Sequence, residues 1–193
     1  MNAPLLTYRM TCEQFLEWTD ARVAALPYDE PKWELFDGIP EMQEHEMWRH
    51  ARAKYRLTQI MEAAIERANI PFEIGLDGLG VRIGPRSSYQ PEAVIFPKGL
   101  IGESDRYAPQ PIIVIEVLSP STRSKDLTIK AAGYAQVPTI EHYLVIDPET
   151  RELLHYRRNG DALVPAEKPQ RDGGLRLDPP GLDLDVGSLL TQI

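Results

Sequence analysis

Hydrophobic positions change their spacing several times along this chain, and each change marks an element. "TCEQFLEW" opens with Thr11 followed three residues later by Gln14, a capping-box pattern that predicts a short N-terminal helix. The turn formers of "LPYDEP" follow. "KWELFDGIPEM" then reads as a strand pair turning at Asp37 and Gly38. From Met47 to Asn69, Leu57, Ile60, Met61, Ala64, Ile65 and Ala68 recur at helical spacing and predict the longest helix. "FEIGL", "GVRIG" and "EAVIF" are short strand candidates between glycines and prolines. "IIVIEVLS" is aliphatic on both alternating faces, the pattern of a central strand covered on both sides. A second helix fits "SKDLTIKAAGYAQ" and stops before Pro138, while "HYLVID" and "ELLHYRR" read as strands joined at "PETR". The tail, with "DGG" and "DPPG", reads as loop-rich and closes on an apolar "VGSLL". The order predicts one α/β domain over residues 1–193 with a mixed central sheet, without regular βαβαβ alternation.

Glu116 breaks the apolar pattern of its strand. A lone ionised carboxylate there costs several kcal/mol or more unless it is paired, protonated or bound to a metal. Glu92 begins the preceding strand. If the two strands are antiparallel neighbours, the start of one lies beside the end of the other and brings the carboxylates together. Two close carboxylates repel unless one is protonated or a divalent cation sits between them, and Mg²⁺ suits such oxygen ligands. On the second helix Asp126, Lys130 and Tyr134 recur every four residues on one face, so Lys130 is the candidate third member. Ser119 belongs to the turn "SPST" between strand and helix. The competing reading makes Glu116 one half of a structural ion pair with Lys130 or Arg123, and Glu92 a solvated strand-entry residue.

Other candidates divide in the same way. His50, seven residues before Leu57, falls on the apolar face of the long helix, where a histidine is more often a core or rim residue than a ligand. Glu34 in "WELFDG" is either solvated or a further acid at the site. Arg49, Arg52, Lys54 and Arg56 are spread around the long helix and read as a solvated surface, with phosphate contact as the minority reading.

Composition narrows the function without choosing it. The net charge of −8 argues against nonspecific coating of nucleic acid, but acids gathered at a metal site add to that total and a local basic groove stays compatible with it. No apolar run approaches the ~20 residues that span a bilayer, and the N-terminus lacks a basic start followed by an apolar stretch. A single cysteine, Cys12, excludes an internal disulfide framework and fits a reducing cytoplasm. There is no P-loop, no convincing G-x-G-x-x-G after a strand and no G-x-S-x-G elbow, and the four scattered histidines make a poor zinc set.

"QPEAVIF", "WELFDG" and "IIVIEVLSPSTRSKDLTIKAAGYAQVPTIEHYLVID" resemble the bacterial Uma-type putative restriction endonucleases of the PD-(D/E)xK nuclease superfamily. The likeness runs from about residue 10 to the ending "LDPPGLDLDVGSLL", and "EVLSPST" followed by D-L-x-x-K and a tyrosine is its most specific part. It implies a restriction-endonuclease-like mixed central β-sheet flanked by α-helices, with the metal-binding acids on a central hairpin. It also implies DNA as substrate and Mg²⁺, or Mn²⁺ in its place, as cofactor. By position, Glu92 takes the place of the aspartate in "PD" and Glu116 that of the second acid. The usual lysine position falls on Leu118, and Lys130 on the following helix matches the displaced lysine.

The metal set implied is Glu92, Glu116 and the Val117 carbonyl, with Lys130 orienting water or offsetting phosphate charge. Glu34 and His50 match the family's acid and helix-opening histidine, and Asp126, Tyr134 and Ser119 line the site. One residue departs from the pattern: Glu92 is longer than aspartate by a methylene, in chemistry sensitive to displacements of ~1 Å. The rival from another class is therefore a catalytically silent nuclease-fold protein that binds nucleic acid or a protein partner. Cutting both strands would favour a homodimer, and the expected location is the cytoplasm.

Overall fold

The computed structural model describes residues 9–25, 31–43, 47–76, 78–119 and 122–193. Helix α1 (Cys12–Ala25) starts at the expected capping box: Thr11 N donates to Gln14 Oε1 at 2.9 Å and Gln14 N to Thr11 Oγ1 at 3.3 Å. It runs beyond the short helix expected, and residues 26–30 of the predicted "LPYDEP" loop lie outside the described residues. β1 (Trp33–Phe36) and β2 (Ile39–Met42) form the expected hairpin. Its turn uses Asp37 at φ 44° and Gly38 at φ 80°, the left-handed pair that a two-residue hairpin loop requires.

The long helix is α2 (Trp48–Ala68), followed by β3 (Phe72–Leu76), β4 (Val81–Gly84), β5 (Ser87–Tyr89), β6 (Ala93–Pro97) and β7 (Ile113–Val117). Beyond β7 the second helix has three parts: α3 (Arg123–Lys125), a π-helical turn (Asp126–Lys130) and α4 (Ala131–Ala135). β8 (His142–Asp147) and β9 (Glu152–Asn159) match the last two predicted strands.

The tail is structured where a loop was expected. It contributes β10 (Ala162–Pro165), a hairpin of β11 (Gly174–Leu177) and β12 (Leu182–Asp185), and helix α5 (Val186–Gln192). Leu175, Leu177, Leu182 and Leu184 alternate inward along that hairpin, so the glycines and prolines mark its ends rather than irregular chain. β5 was also not expected. Its three residues are too few for a periodicity signal.

The main sheet has the order β10-β9-β8-β7-β6-β3, with β7 and β8 parallel and every other neighbouring pair antiparallel. A second sheet, β2-β1-β5-β4, carries Glu34. Alternation along the strands separates two cores. Ile113, Ile115 and Val117 join Leu57 and Met61 of α2 and the leucines of β11, β12 and α5. Val114 of β7, Val94 and Phe96 of β6, and Tyr143 and Val145 of β8 pack on the other face against Tyr134 of α4. Each buried aliphatic side chain contributes ~1.5–3 kcal/mol, enough to hold both layers against the sheet. The consequence for the acids follows from parity. Glu116 points with Val114, and Glu92 lies in register with Val94, so both address the face carrying the π-helical turn. Among the described residues no helix is long and apolar enough to cross a membrane.

Candidate active site

Ala93 pairs with Ile115 across the antiparallel β6–β7 ladder, so Glu92 comes opposite Glu116, as expected from sequence. Glu92 is half-buried and its Oε2 accepts from the Val117 amide at 3.2 Å. It also lies within hydrogen-bonding reach of the Glu116 side chain. Two acids this close cannot both ionise at ordinary pH without a counter-charge.

Lys130 supplies part of that charge. Its Nζ lies 2.9 Å from Glu116 Oε1, 3.0 Å from Glu34 Oε1 and 3.4 Å from Asp126 Oδ1. All four side chains are buried. The Tyr134 hydroxyl donates to the same Glu116 oxygen at 2.8 Å. Glu34 is fixed independently: the Gln90 amide donates to Oε1 at 2.7 Å and Gln43 Nε2 to Oε2 at 2.8 Å. Gly133 lets the helix approach this closely, because a Cβ there would come within 2.4 Å of the Tyr89 ring.

The electrostatics are unbalanced. Three buried carboxylates and the half-buried Glu92 face one ammonium. Burial drives Glu116 well above the usual carboxylate range, opposed by Lys130 but reinforced by Glu92. Burial likewise raises Glu34 against the pull of Lys130. Asp126 is raised to about 6 by burial and then by Glu116, and its Oδ1 makes no hydrogen bond, although Lys130 is within ion-pair distance. For Lys130, burial works against the charge, yet Glu116, Glu34 and Asp126 outweigh it and push its pKa well up. The lysine is held as a cation. The surplus negative charge and the oxygen-only donor set fit a hard divalent cation. Among the described residues no three His, Cys, Asp or Glu side chains are grouped as a metal cluster. An ion here would rest on Glu92 and Glu116 with a main-chain oxygen.

The remaining candidates fall around this centre. His50 Nε2 lies 2.7 Å from the Val117 carbonyl, so the histidine at the start of α2 holds the main chain beside Glu116 instead of lying idle in the core. Ser119 lines a cleft of about 360 Å³ with Leu118, Arg123, Asp147 and Glu149, at the carboxyl ends of the parallel strands β7 and β8. Ligands in open α/β sheets characteristically bind in such a crevice. Arg123, offered by sequence as an alternative partner for Glu116, instead pairs with Asp147. Sequence reasoning did not find Gln43 and Gln90. Gln90 is placed by the "QPE" entry into β6, whereas Gln43 reaches Glu34 only because the β1–β2 hairpin folds it back, and carries no local signal.

Comparison with known proteins bears on the family and the fold. The sequence profile of the Uma2 family, described as "Putative restriction endonuclease", matches residues 12–187. A Synechocystis protein described as uncharacterised, slr1290, is 25% identical over 154 residues, covering 79% of this chain and 76% of the relative. A crystal structure of a putative nuclease belonging to DUF820 from Anabaena variabilis superposes with a TM-score of 0.72 at 17% identity. It covers 95% of this chain and 98% of that one, and shares its fold.

Proposed function

The chain belongs to the Uma2 family of putative restriction endonucleases, and from that premise we propose that it is a Mg²⁺-dependent nuclease that hydrolyses phosphodiester bonds in DNA. The observation that carries this reading is the surplus of carboxylates gathered around Lys130 at the carboxyl end of β7. Nothing in folding alone calls for it, since a buried ion pair needs one acid per lysine and gives little net stability. Glu92, Glu116 and the Val117 carbonyl would hold the ion. Bound Mg²⁺ supplies Lewis acidity toward a phosphate oxygen and offsets the repulsion between the acids.

The chain's own residues do the positioning. Tyr134 and Lys130 both bond one oxygen of Glu116, and neither uses the other oxygen. Gln43 and the Gln90 amide hold Glu34 against Lys130, so the ammonium stays charged and aimed at Glu116. His50 orients the Val117 carbonyl. In the cleft beyond β7, Arg123 presents a cation that could meet a phosphate after exchange from Asp147.

Cleavage of single- and double-stranded DNA, followed across Mg²⁺, Mn²⁺ and chelator with Glu116→Gln as control, tests the proposal. Metal-dependent cleavage by the wild type alone supports it. Equal cleavage by both proteins rejects the assignment. A second reading is favoured by one observation: Glu92 stands where the family pattern has aspartate, and its Oε2 is already engaged by the Val117 amide. On that reading the protein binds nucleic acid or a protein partner without cutting. Absence of Mg²⁺ and Mn²⁺ binding at millimolar concentration by calorimetry, together with absence of cleavage, favours the silent form.

A further inference from the structure

Sequence periodicity makes the basic residues of α2 look dispersed, but the structure sorts them. The helix buries Ala53, Leu57, Met61, Ala64 and Ile65 against the sheet. Its opposite side carries Trp48, Arg49, Arg52, Tyr55 and Arg56, all exposed. Trp48 and Tyr55, seven residues apart, are 79% and 61% accessible, far beyond what such rings usually show on a soluble protein. Two helical turns, ~10 Å, separate them on one face, and Arg52 stands between them. Gln59 braces the far end, donating to the Tyr55 hydroxyl at 3.0 Å and accepting from Arg56 Nη1 at 3.2 Å.

Charge is as uneven as ring exposure. In a chain of net charge −8, the segment from Met47 to Met61 contains no acidic residue. The nearest acids in sequence are Glu46, outside the described residues, and Glu62. The face also begins at the candidate active site. His50 holds the Val117 carbonyl, and Arg49 Nη2 lies 3.7 Å from Glu149, which lines the cleft. That last pair is largely solvated on both sides, so exchanging Glu149 for a phosphate costs little.

We propose that this face of α2 is a track for single-stranded nucleic acid leading into the cleft, with unpaired bases stacked on Trp48 and Tyr55 and phosphates met by Arg49, Arg52 and Arg56. This rests on the nuclease reading for its location and deepens it by naming the form of the substrate. Exposed ring faces select an unpaired strand, because the faces of bases in a duplex are already stacked on one another. Arginines alone would serve a duplex equally well.

The test measures binding in the Glu116→Gln protein, so it does not depend on cleavage. Anisotropy of a labelled oligothymidylate, free and annealed to its complement, is followed with Trp48→Ala, Tyr55→Ala and the ring-preserving Trp48→Phe. Each alanine variant should weaken single-strand binding at least about fivefold, Trp48→Phe should restore most of it, and duplex binding should not change. Arg52→Gln and Arg56→Gln should each reduce the salt dependence of single-strand binding by about one phosphate contact. Alanine variants that bind the single strand like their parent overturn the proposal. So does a parent dimer that Trp48→Ala converts to monomer with oligonucleotide affinity intact, since the face would then serve self-association. Strand binding of the expected kind in a protein that never cuts would sink the nuclease reading and leave this face standing.

Discussion

Two buried polar clusters sit at opposite ends and on opposite faces of the parallel pair β7 and β8, and they differ in how they are closed. At the start of β8, His142 is fully buried, with its Nε2 2.8 Å from the Pro179 carbonyl and its Nδ1 2.9 Å from His155 Nε2. The carbonyl can only accept, so neutral His142 carries its proton on Nε2 and accepts from His155 on Nδ1. Every polar atom of the His142 ring is used and no net charge is left over. At the other end of the pair, Glu116, Glu34, Asp126 and Glu92 share one lysine, and Asp126 Oδ1 is left without a hydrogen bond. Burial of polar groups therefore does not by itself mark a site. An unbalanced cluster is the stronger candidate, because its surplus acids must take up either protons or a cation from outside the chain.

The largest expected consequence is in activity. Glu116→Gln keeps an acceptor for Lys130 and Tyr134 but removes the charge proposed to bind the metal, and should lower metal-dependent cleavage on the order of 10³-fold, read by single-turnover assays. His155→Gln, which can still donate to His142, should leave cleavage within about twofold. A comparable loss in both variants would erase the distinction between the clusters. In stability the same cluster should behave oppositely toward its two signs. Lys130→Met leaves three buried carboxylates without their cation and should cost about 3–5 kcal/mol in urea unfolding. Glu116→Gln reduces the surplus and should be neutral or stabilising. A destabilised Glu116→Gln would indicate that the carboxylate is a structural partner of Lys130 and nothing more.

The contrast between the clusters was only half legible in sequence. Glu116 was visible because a carboxylate interrupts an aliphatic strand, and Glu92 because strand order puts it across the hairpin. Lys130 and Tyr134 could be placed by helical spacing, although the five residues Asp126–Lys130 form a π-turn that no periodicity announces. Glu34 stayed ambiguous, since its burial comes from a second sheet folded over the first, a nonlocal fact. The histidine pair was invisible for the same reason: His142 and His155 meet only through the β8–β9 register, and Pro179 comes from a distant turn. The β11–β12 hairpin is the instructive miss, because its alternating leucines were present but the surrounding glycines and prolines were read as loop.

The smallest effects expected are in pH, and here the clusters should pull in opposite directions. Burial lowers both histidines from 6.5 to about 4, with His142 adding to the effect on His155. The unfolded chain then takes up protons first, so their contribution is complete above pH 6.5 and is lost as pH falls toward 4. Asp126 is raised from 3.8 to about 6. The unfolded chain releases this proton first, so the contribution of Asp126 is complete below pH 3.8 and is lost as pH rises through 6. In metal-free protein the histidine pair therefore favours the alkaline end of the range between pH 4 and 6.5 and the acid cluster the acid end, read as Tm. His155→Gln removes one acid-sensitive group and should expose the loss on the alkaline side. Glu116→Gln removes the second-largest cause of the Asp126 shift and should expose the loss on the acid side instead. On the proposed reading Mg²⁺ would compete with protons for the acids, so at about ten times its Kd it should stabilise by about 1.4 kcal/mol near pH 8 and by much less near pH 5. An equal gain at both pH values would mean that the ion binds elsewhere than among these raised carboxylates.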